Sequence, residues 1–182
     1  DVILSGWHHY KLKFPAAKLK LIMLGAGEMM PQLKQYLADH GLEEDVLLPG
    51  LQPRESMPDW YAIADYYIIG SDYEGSSVSL LEAMFNQLPV IGADSPGINA
   101  MLGHAVNALL YPVRDYEKLA EQIRLLQEEP DFAARLAARA KSDYESNYSF
   151  EAMMKSYEII FNEVNPLPMR ANQIKKESLS IH

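Results

Sequence analysis

An α/β fold, a Rossmann-like parallel sheet with helices on both faces, is the class this sequence predicts. Three observations carry that expectation. Apolar runs of strand length recur along the chain, separated mostly by segments with helical spacing. The runs are near-continuously apolar and not alternating, the pattern of strands buried on both faces. Gly25, Gly50, Gly70 and Gly92 fall at or just beyond the carboxyl ends of four of them, where the chain must turn tightly. In open α/β sheets those ends are where ligands bind.

The first strand is expected over Leu19 to Leu24, running into the turn Gly25-Ala26-Gly27. Val46 to Leu48 is the second, after Glu43-Glu44-Asp45, which reads as a solvated loop. Tyr66 to Ile69 is the third and opens onto a Gly/Ser-rich turn. From Ser77 the chain reads as a helix whose core face is Leu81, Met84, Phe85 and Leu88, spaced by threes and fours. Pro89 to Ile91 and Ala108 to Tyr111 are the fourth and fifth strands. Tyr116, Leu119, Ala120, Ile123 and Leu126 mark a helix that Pro130 ends, and Phe132, Leu136 and Ala140 mark another. Ser149 is a candidate cap for a last helix, in which Phe150, Met153, Met154, Tyr157, Ile160, Phe161 and Val164 form a long apolar stripe. That stripe is expected to pack in a core and not to line a cofactor site. Beyond Asn165 the text turns polar, with Pro166, Pro168, Lys175, Lys176 and Glu177. We therefore expect one domain over residues 1–164 and a polar tail over 165–182.

A chain of 182 residues is long enough to bury its own core without disulfides or metals. Hydrophobic residues at 48% and charged residues at 23% are ordinary globular values. No apolar run approaches the roughly 18 residues of a membrane span. A formal net charge of -9 opposes binding along a nucleic-acid backbone. The absence of cysteine excludes disulfides, thiolate nucleophiles and Cys-ligated zinc. Residue 1 is Asp1 and not Met, so we expect a longer protein whose beginning lies upstream.

The densest chemical cluster is Ser71-Asp72-Tyr73-Glu74-Gly75-Ser76-Ser77-Val78-Ser79-Leu80-Leu81-Glu82, which leaves a strand, crosses a turn and enters a helix. A helix start offers unpaired backbone N–H groups and a positive dipole end, which suit phosphate. The small residues admit a ligand close to the backbone, and the hydroxyls of Ser76, Ser77 and Ser79 add hydrogen-bonding groups. Glu74 could accept from sugar hydroxyls, and Glu82 from a vicinal diol such as that of ribose. A second reading stands beside this one. Ser71-x-x-Glu74 and Ser79-x-x-Glu82 each fit a capping box, in which the glutamates close helix ends. Spacing alone leaves both open.

The run Glu74-Gly75-Ser76-Ser77-Val78-Ser79-Leu80-Leu81-Glu82-Ala83-Met84, followed by Leu88-Pro89-Val90-Ile91 and Ser95-Pro96-Gly97, resembles the signature of family 4 (group 1) glycosyltransferases with the GT-B architecture. Leu21-Ile22-Met23-Leu24-Gly25-Ala26-Gly27, Val46-Leu47-Leu48-Pro49-Gly50 and Tyr61-Ala62-Ile63-Ala64-Asp65-Tyr66-Tyr67 extend the resemblance from about Leu19 to Val164. It implies the C-terminal half of a GT-B enzyme that binds a nucleotide sugar and transfers the sugar with retention, without a required metal or other cofactor. By resemblance, Glu74 meets donor sugar hydroxyls, Glu82 the ribose diol, and the backbone of Gly75, Ser76, Ser77, Val78 and Ser79 the sugar and diphosphate. The turn Gly50-Leu51-Gln52 matches the place of the nucleobase, and Gly25 and Gly27 are near-site turns.

The resemblance implies a UDP- or GDP-sugar as substrate and a glycan or lipid-linked acceptor held by an N-terminal domain. It also implies a role in bacterial polysaccharide synthesis and a cytoplasmic location, with peripheral association at the inner face of the membrane. No residue of the chain is expected to serve as nucleophile or general base. The family's diphosphate-binding Arg and Lys lie in a segment before Asp1, so the chain alone is expected to be inactive.

Two departures support an alternative, a nucleotide-binding or regulatory module without turnover. Ser76-Ser77 stands where the family usually has Phe-Gly or Pro-Gly, and Pro96-Gly97-Ile98-Asn99-Ala100 lacks a glutamate common in its relatives. Two other motifs rank lower. Gly25-Ala26-Gly27-Glu28-Met29-Met30 has Met30 where a dinucleotide fingerprint needs its third glycine. His8-His9 would point apart on a helix, so it reads as a surface pair and not a metal site.

Overall fold

The computed structural model describes residues 2–164. The chain divides into two compact units, Asp1–Tyr144 and Glu145–His182. In the first unit five strands, β1 (Leu21–Leu24), β2 (Val46–Gly50), β3 (Tyr67–Ile69), β4 (Val90–Asp94) and β5 (Leu109–Pro112), lie on the five apolar runs of the sequence. Every pairing is parallel. Leu21 faces Val46 in one ladder, while Tyr67 faces Val90 and Ile91 faces Leu109 in the other. The strands form two parallel ladders, β2-β1 and β3-β4-β5. The outer edges of β1 and β3 carry no strand among the described residues. Gly92 lies inside β4 and not at its end, where its missing side chain leaves space that Ile98 and Leu102 fill.

The helices are α1 (Val2–Lys13), α2 (Met30–His40), α3 (Met57–Ala62), α4 (Val78–Phe85), α5 (Tyr116–Glu128), α6 (Pro130–Asn147) and, in the second unit, α7 (Phe150–Val164). Gly41 ends α2 in the left-handed conformation at φ 65, a shape that costs glycine nothing. Asp115 caps α5 by accepting from the Lys118 N–H at 2.8 Å. Helix α1 lies along α5, and Gly6 sets how close they come: a Cβ there would stand 2.5 Å from Leu119 Cδ2. Leu4, Trp7 and Tyr10 of α1 are buried, as are Leu119, Ile123 and Leu126 of α5 and Val90, Ile91 and Ala93 of β4.

Three sequence expectations are corrected. The buried face of α4 is Leu80, Ala83 and Met84, with Leu88 after it, one residue away from the expected stripe. Phe85 is 54% exposed and meets the Tyr144 ring edge-on at 5.6 Å. Tyr116 is exposed at the start of α5, whose other expected core positions are buried. In the second unit, Ser149 does cap α7, accepting from the Ala152 N–H at 3.1 Å. Yet no α7 residue is buried, so the stripe from Phe150 to Val164 is not core. Periodicity reports which face of a helix is apolar, and burial needs a second surface against it. The expected tail, 165–182, lies outside the described residues.

The two histidines do point apart. His8 Nδ1 is 3.0 Å from the Tyr36 hydroxyl, whereas the His9 ring lies beside Tyr116. Both are half-buried, so the pair is not a surface pair. Among the described residues no group of three or more His, Asp or Glu is placed to hold a metal, and no helix is long and apolar enough to cross a membrane.

Candidate functional site at the start of α4

The chain leaves β3, crosses residues 70–77 and enters α4. Ser77 has an extended backbone (φ -88, ψ 104), and its Oγ accepts from the Leu80 N–H at 3.3 Å. Ser77 is therefore the cap of α4, and neither capping box of the sequence forms. Ser79 lies inside the helix, and no helix follows Ser71. The glutamates are released from the capping role. Because Leu80 bonds Ser77 Oγ and Leu81 bonds the Ser77 carbonyl, the N–H groups of Val78 and Ser79 are the ones left open at the helix start. Gly75, Ser76 and Val78 are exposed there.

Glu82 is half-buried one turn further on. The Tyr61 hydroxyl donates to its Oε2 at 2.9 Å, leaving the other carboxylate oxygen without a hydrogen bond among the described residues. Burial, joined by that bond to a carboxylate, pushes the Tyr61 hydroxyl far above its ordinary range, so it remains a donor at all physiological pH. Tyr67 donates to Ser79 Oγ at 2.7 Å, and Ser79 Oγ lies 3.2 Å from Ser77 Oγ. Burial also raises Tyr67, against the bond to Ser79.

Glu74 is positioned from behind by the loop after β4. Its N–H donates to the Pro96 carbonyl at 3.1 Å. The Ser95 hydroxyl, fully buried, donates to the Ser71 carbonyl at 2.7 Å. Gly97, at φ 90, touches the Glu74 backbone so closely that a Cβ would fall 1.7 Å from its carbonyl oxygen. The Glu74 carboxylate itself makes no hydrogen bond among the described residues. Arg114 Nε donates to Asp72 Oδ2 at 3.1 Å, so the cation beside this loop is already engaged.

A second group forms at the carboxyl ends of β1 and β2. Gly25, at φ 119, donates its N–H to the carbonyl of Gly50, itself at φ 78, over 2.9 Å. Leu51 is 80% exposed beyond them, Gln52 Nε2 donates back to the Pro49 carbonyl, and Gly27 faces open space. The structure therefore gathers Glu74 to Glu82 in one group and Gly25, Gly50 and Leu51 in another. Among the described residues no hydrogen bond joins the two. Tyr61, Tyr67, Ser95 and Gly97 lie in segments that carry the family resemblance but were given no role in the site from sequence. Their hydrogen-bond partners lie 12 to 24 residues away for the first three, so no local spacing could reveal them.

Open N–H groups at a helix start, two carboxylates with free oxygens and a cluster of hydroxyls suit an anionic ligand that also carries diols. Residues 9–143, well over half of the chain, match the family model described as glycosyl transferases group 1. The chain is similar to the amylovoran biosynthesis glycosyltransferase AmsK of Erwinia amylovora, 36% identical over 144 residues, covering 75% of this chain and 35% of that protein. It is also similar to the alpha-D-kanosaminyltransferase of Streptomyces kanamyceticus, 22% identical, covering 80% of this chain and 38% of that protein. The chain thus spans little more than a third of these relatives. Among solved structures, a variant of TarM from S. aureus, in complex with fondaparinux, alpha-GlcNAc-glycerol and UDP, superposes with TM-score 0.79 at 23% identity, over 89% of this chain and 32% of that one. HepE of Anabaena in complex with UDP gives TM-score 0.78 at 20% identity, over 89% and 44%. Family match and shared fold together establish that this chain belongs to the group 1 glycosyl transferases, with the fold of one half of a GT-B enzyme.

Proposed function

We propose that this chain is the donor-binding domain of a retaining glycosyltransferase that moves a sugar from a nucleoside diphosphate, UDP or GDP, to a glycan or lipid-linked acceptor in bacterial polysaccharide synthesis. The observation that carries this reading is the start of α4. Two N–H groups stand open between a hydrogen-bond-free Glu74 carboxylate and a Glu82 with one oxygen to spare. In this assignment the N–H groups of Val78 and Ser79 meet the diphosphate, with Gly75, Ser76 and Ser77 alongside. Glu74 accepts from the sugar hydroxyls, and Glu82, held by Tyr61, accepts from the ribose diol. Gly25, Gly27, Gly50 and Leu51 would lie near the base. The complexes of TarM and HepE with UDP support this reading.

In the reaction, the bond from the anomeric carbon to the diphosphate loosens and positive charge develops on the sugar, while negative charge on the leaving phosphate is met by the helix start. No metal is assigned a role, and neither glutamate acts as acid or base. The acceptor arrives from the other half of the whole enzyme, at the cytoplasmic face of the membrane. Titration calorimetry of the full-length protein with UDP, GDP and ADP tests the assignment. One of the three should bind, and Glu82→Ala should weaken it at least about tenfold through loss of a charge-assisted hydrogen bond. Absence of binding by all three would sink it. A module that binds without turnover remains the second reading, favoured by the exposed Ala100 where the family resemblance implies a glutamate. Binding of nucleotide sugar without transfer to any acceptor would decide for it.

A further inference from the structure

We propose that Ser79 binds the donor's diphosphate through its side chain as well as its N–H, as a hydroxyl that Tyr67 and Ser77 restrict to donating. The proposal deepens the donor-site reading above and rests on it. Three hydroxyls meet at the start of α4. Tyr67 donates to Ser79 Oγ at 2.7 Å, Ser79 Oγ lies 3.2 Å from Ser77 Oγ, and Ser77 Oγ accepts from the Leu80 N–H at 3.3 Å. Burial first, then the charges of Glu74 and Glu82, hold the Tyr67 phenol above its ordinary range, so at neutral pH it keeps its proton and directs it at Ser79.

The proton count fixes the direction of the remaining bond. Tyr67, Ser77 and Ser79 carry one hydroxyl proton each, and the cluster uses two of them, that of Tyr67 and one between the serines. One serine proton is left without an acceptor among the described residues. Were it that of Ser77, it would belong to a residue only 5% exposed, and a buried donor without an acceptor is costly. Ser79 is exposed, so the favoured arrangement has Ser77 donating to Ser79 and the Ser79 proton turned outward. Both lone pairs of Ser79 Oγ are then taken, by Tyr67 and by Ser77. Such a hydroxyl donates and does not accept. Beside it the Ser79 backbone N–H is open as well. Two donors with no acceptor suit phosphate oxygens, which only accept. Arg114 is already engaged by Asp72, so the anion meets these donors and not that cation. Ser77 stands where the family resemblance implies a glycine, which has no hydroxyl with which to fill the second lone pair of Ser79. The departure at 77 is thus an added part of diphosphate binding and not the mark of a lost site.

Calorimetry of the full-length protein with UDP, or with GDP or ADP where that is the nucleotide bound, tests the assignment, with the matching nucleoside followed by NMR as a phosphate-free control. Ser79→Ala should weaken the diphosphate about tenfold or more and leave the nucleoside unchanged. Ser79→Thr keeps a hydroxyl and should retain most of the affinity. Position 79 is exposed on a helix, so neither substitution threatens the fold. Tyr67→Phe and Ser77→Gly should each weaken the diphosphate about threefold or more, and should cost nothing further once Ser79 is alanine, because both act through its hydroxyl. Three results would overturn the proposal while leaving the donor-site reading in place: undiminished diphosphate binding by Ser79→Ala, an equal loss of nucleoside and diphosphate, or losses of Tyr67→Phe and Ser79→Ala that simply add. Failure of the parent protein to bind any of the three nucleotides would overturn both together.

Discussion

Gly97→Ala puts the positioning of Glu74 to a direct test. At φ 90 an alanine is strained whatever the space around it, and here the new methyl would lie 1.7 Å from the Glu74 carbonyl oxygen and 2.7 Å from its carbonyl carbon. That neighbour is backbone, so no side chain can rotate away. The 70–77 loop must instead retreat by roughly 1 Å or more, breaking the Glu74 N–H bond to Pro96. Strain of this kind costs about 1–3 kcal/mol, visible as a lower urea midpoint. A group misplaced by about 1 Å can cost around a hundredfold at a site that depends on its position. We therefore expect the affinity for a nucleotide sugar to fall by one to two orders of magnitude, approximately. The affinity for the bare nucleotide, which leans on Glu82, should fall much less. Calorimetry of the full-length variant with nucleoside diphosphate and with its sugar measures both. A variant that keeps its stability and its preference for the sugar-bearing ligand would refute the claim that the β4 loop holds Glu74 in place.

Tyr61→Phe removes the donor to Glu82 Oε2 and should cost about 1 kcal/mol of nucleotide affinity, several-fold by calorimetry; no change would mean that Glu82 is held by its helix alone. Gly6→Ala drives a methyl into Leu119 and should destabilise the fold by about 1–3 kcal/mol in urea titration, with part of the loss recovered by Leu119→Ala if the two residues are coupled. Tyr111 is buried without a hydrogen-bond partner; that burial, with the charge of Asp72 nearby, pushes its hydroxyl from 10.0 up to about 12. The folded state holds this proton more tightly than the unfolded chain does. Its stabilising contribution is therefore full below the unfolded value and is lost as pH climbs through the folded one. Thermal midpoints followed between about pH 9 and 12 should fall less steeply for Tyr111→Phe than for the parent chain.

The sequence was legible where one kind of burial acts along consecutive residues. Strand interiors are largely buried and apolar, so all five runs, Leu21 to Leu24 through Leu109 to Pro112, showed as near-continuous apolar text. It was ambiguous where two apolar stripes overlap. In α4, Leu80, Leu81, Ala83, Met84 and Phe85 satisfy two helical faces one residue apart, and packing selected the one through Leu80. It was silent wherever the answer lies in a second surface. The stripe of α7 reads as a core face and is exposed, and the seryl-glutamyl spacings read as caps until the backbone made Ser77 the cap instead.

The same limit divides the site. The glutamates and the helix start were visible because they sit together in nine residues. Tyr61, Ser95 and Gly97, which hold them, come from α3 and from the loop after β4, and only the fold brings them there. Pairing is the extreme case. Five apolar runs with helical connections predict a parallel sheet, but a run carries no mark of its neighbours. In physical terms, periodicity determines which groups a segment presents, and topology determines what meets them. In this chain the carboxylates of the candidate site are groups presented with no partner yet in place, which is why binding is to be sought there.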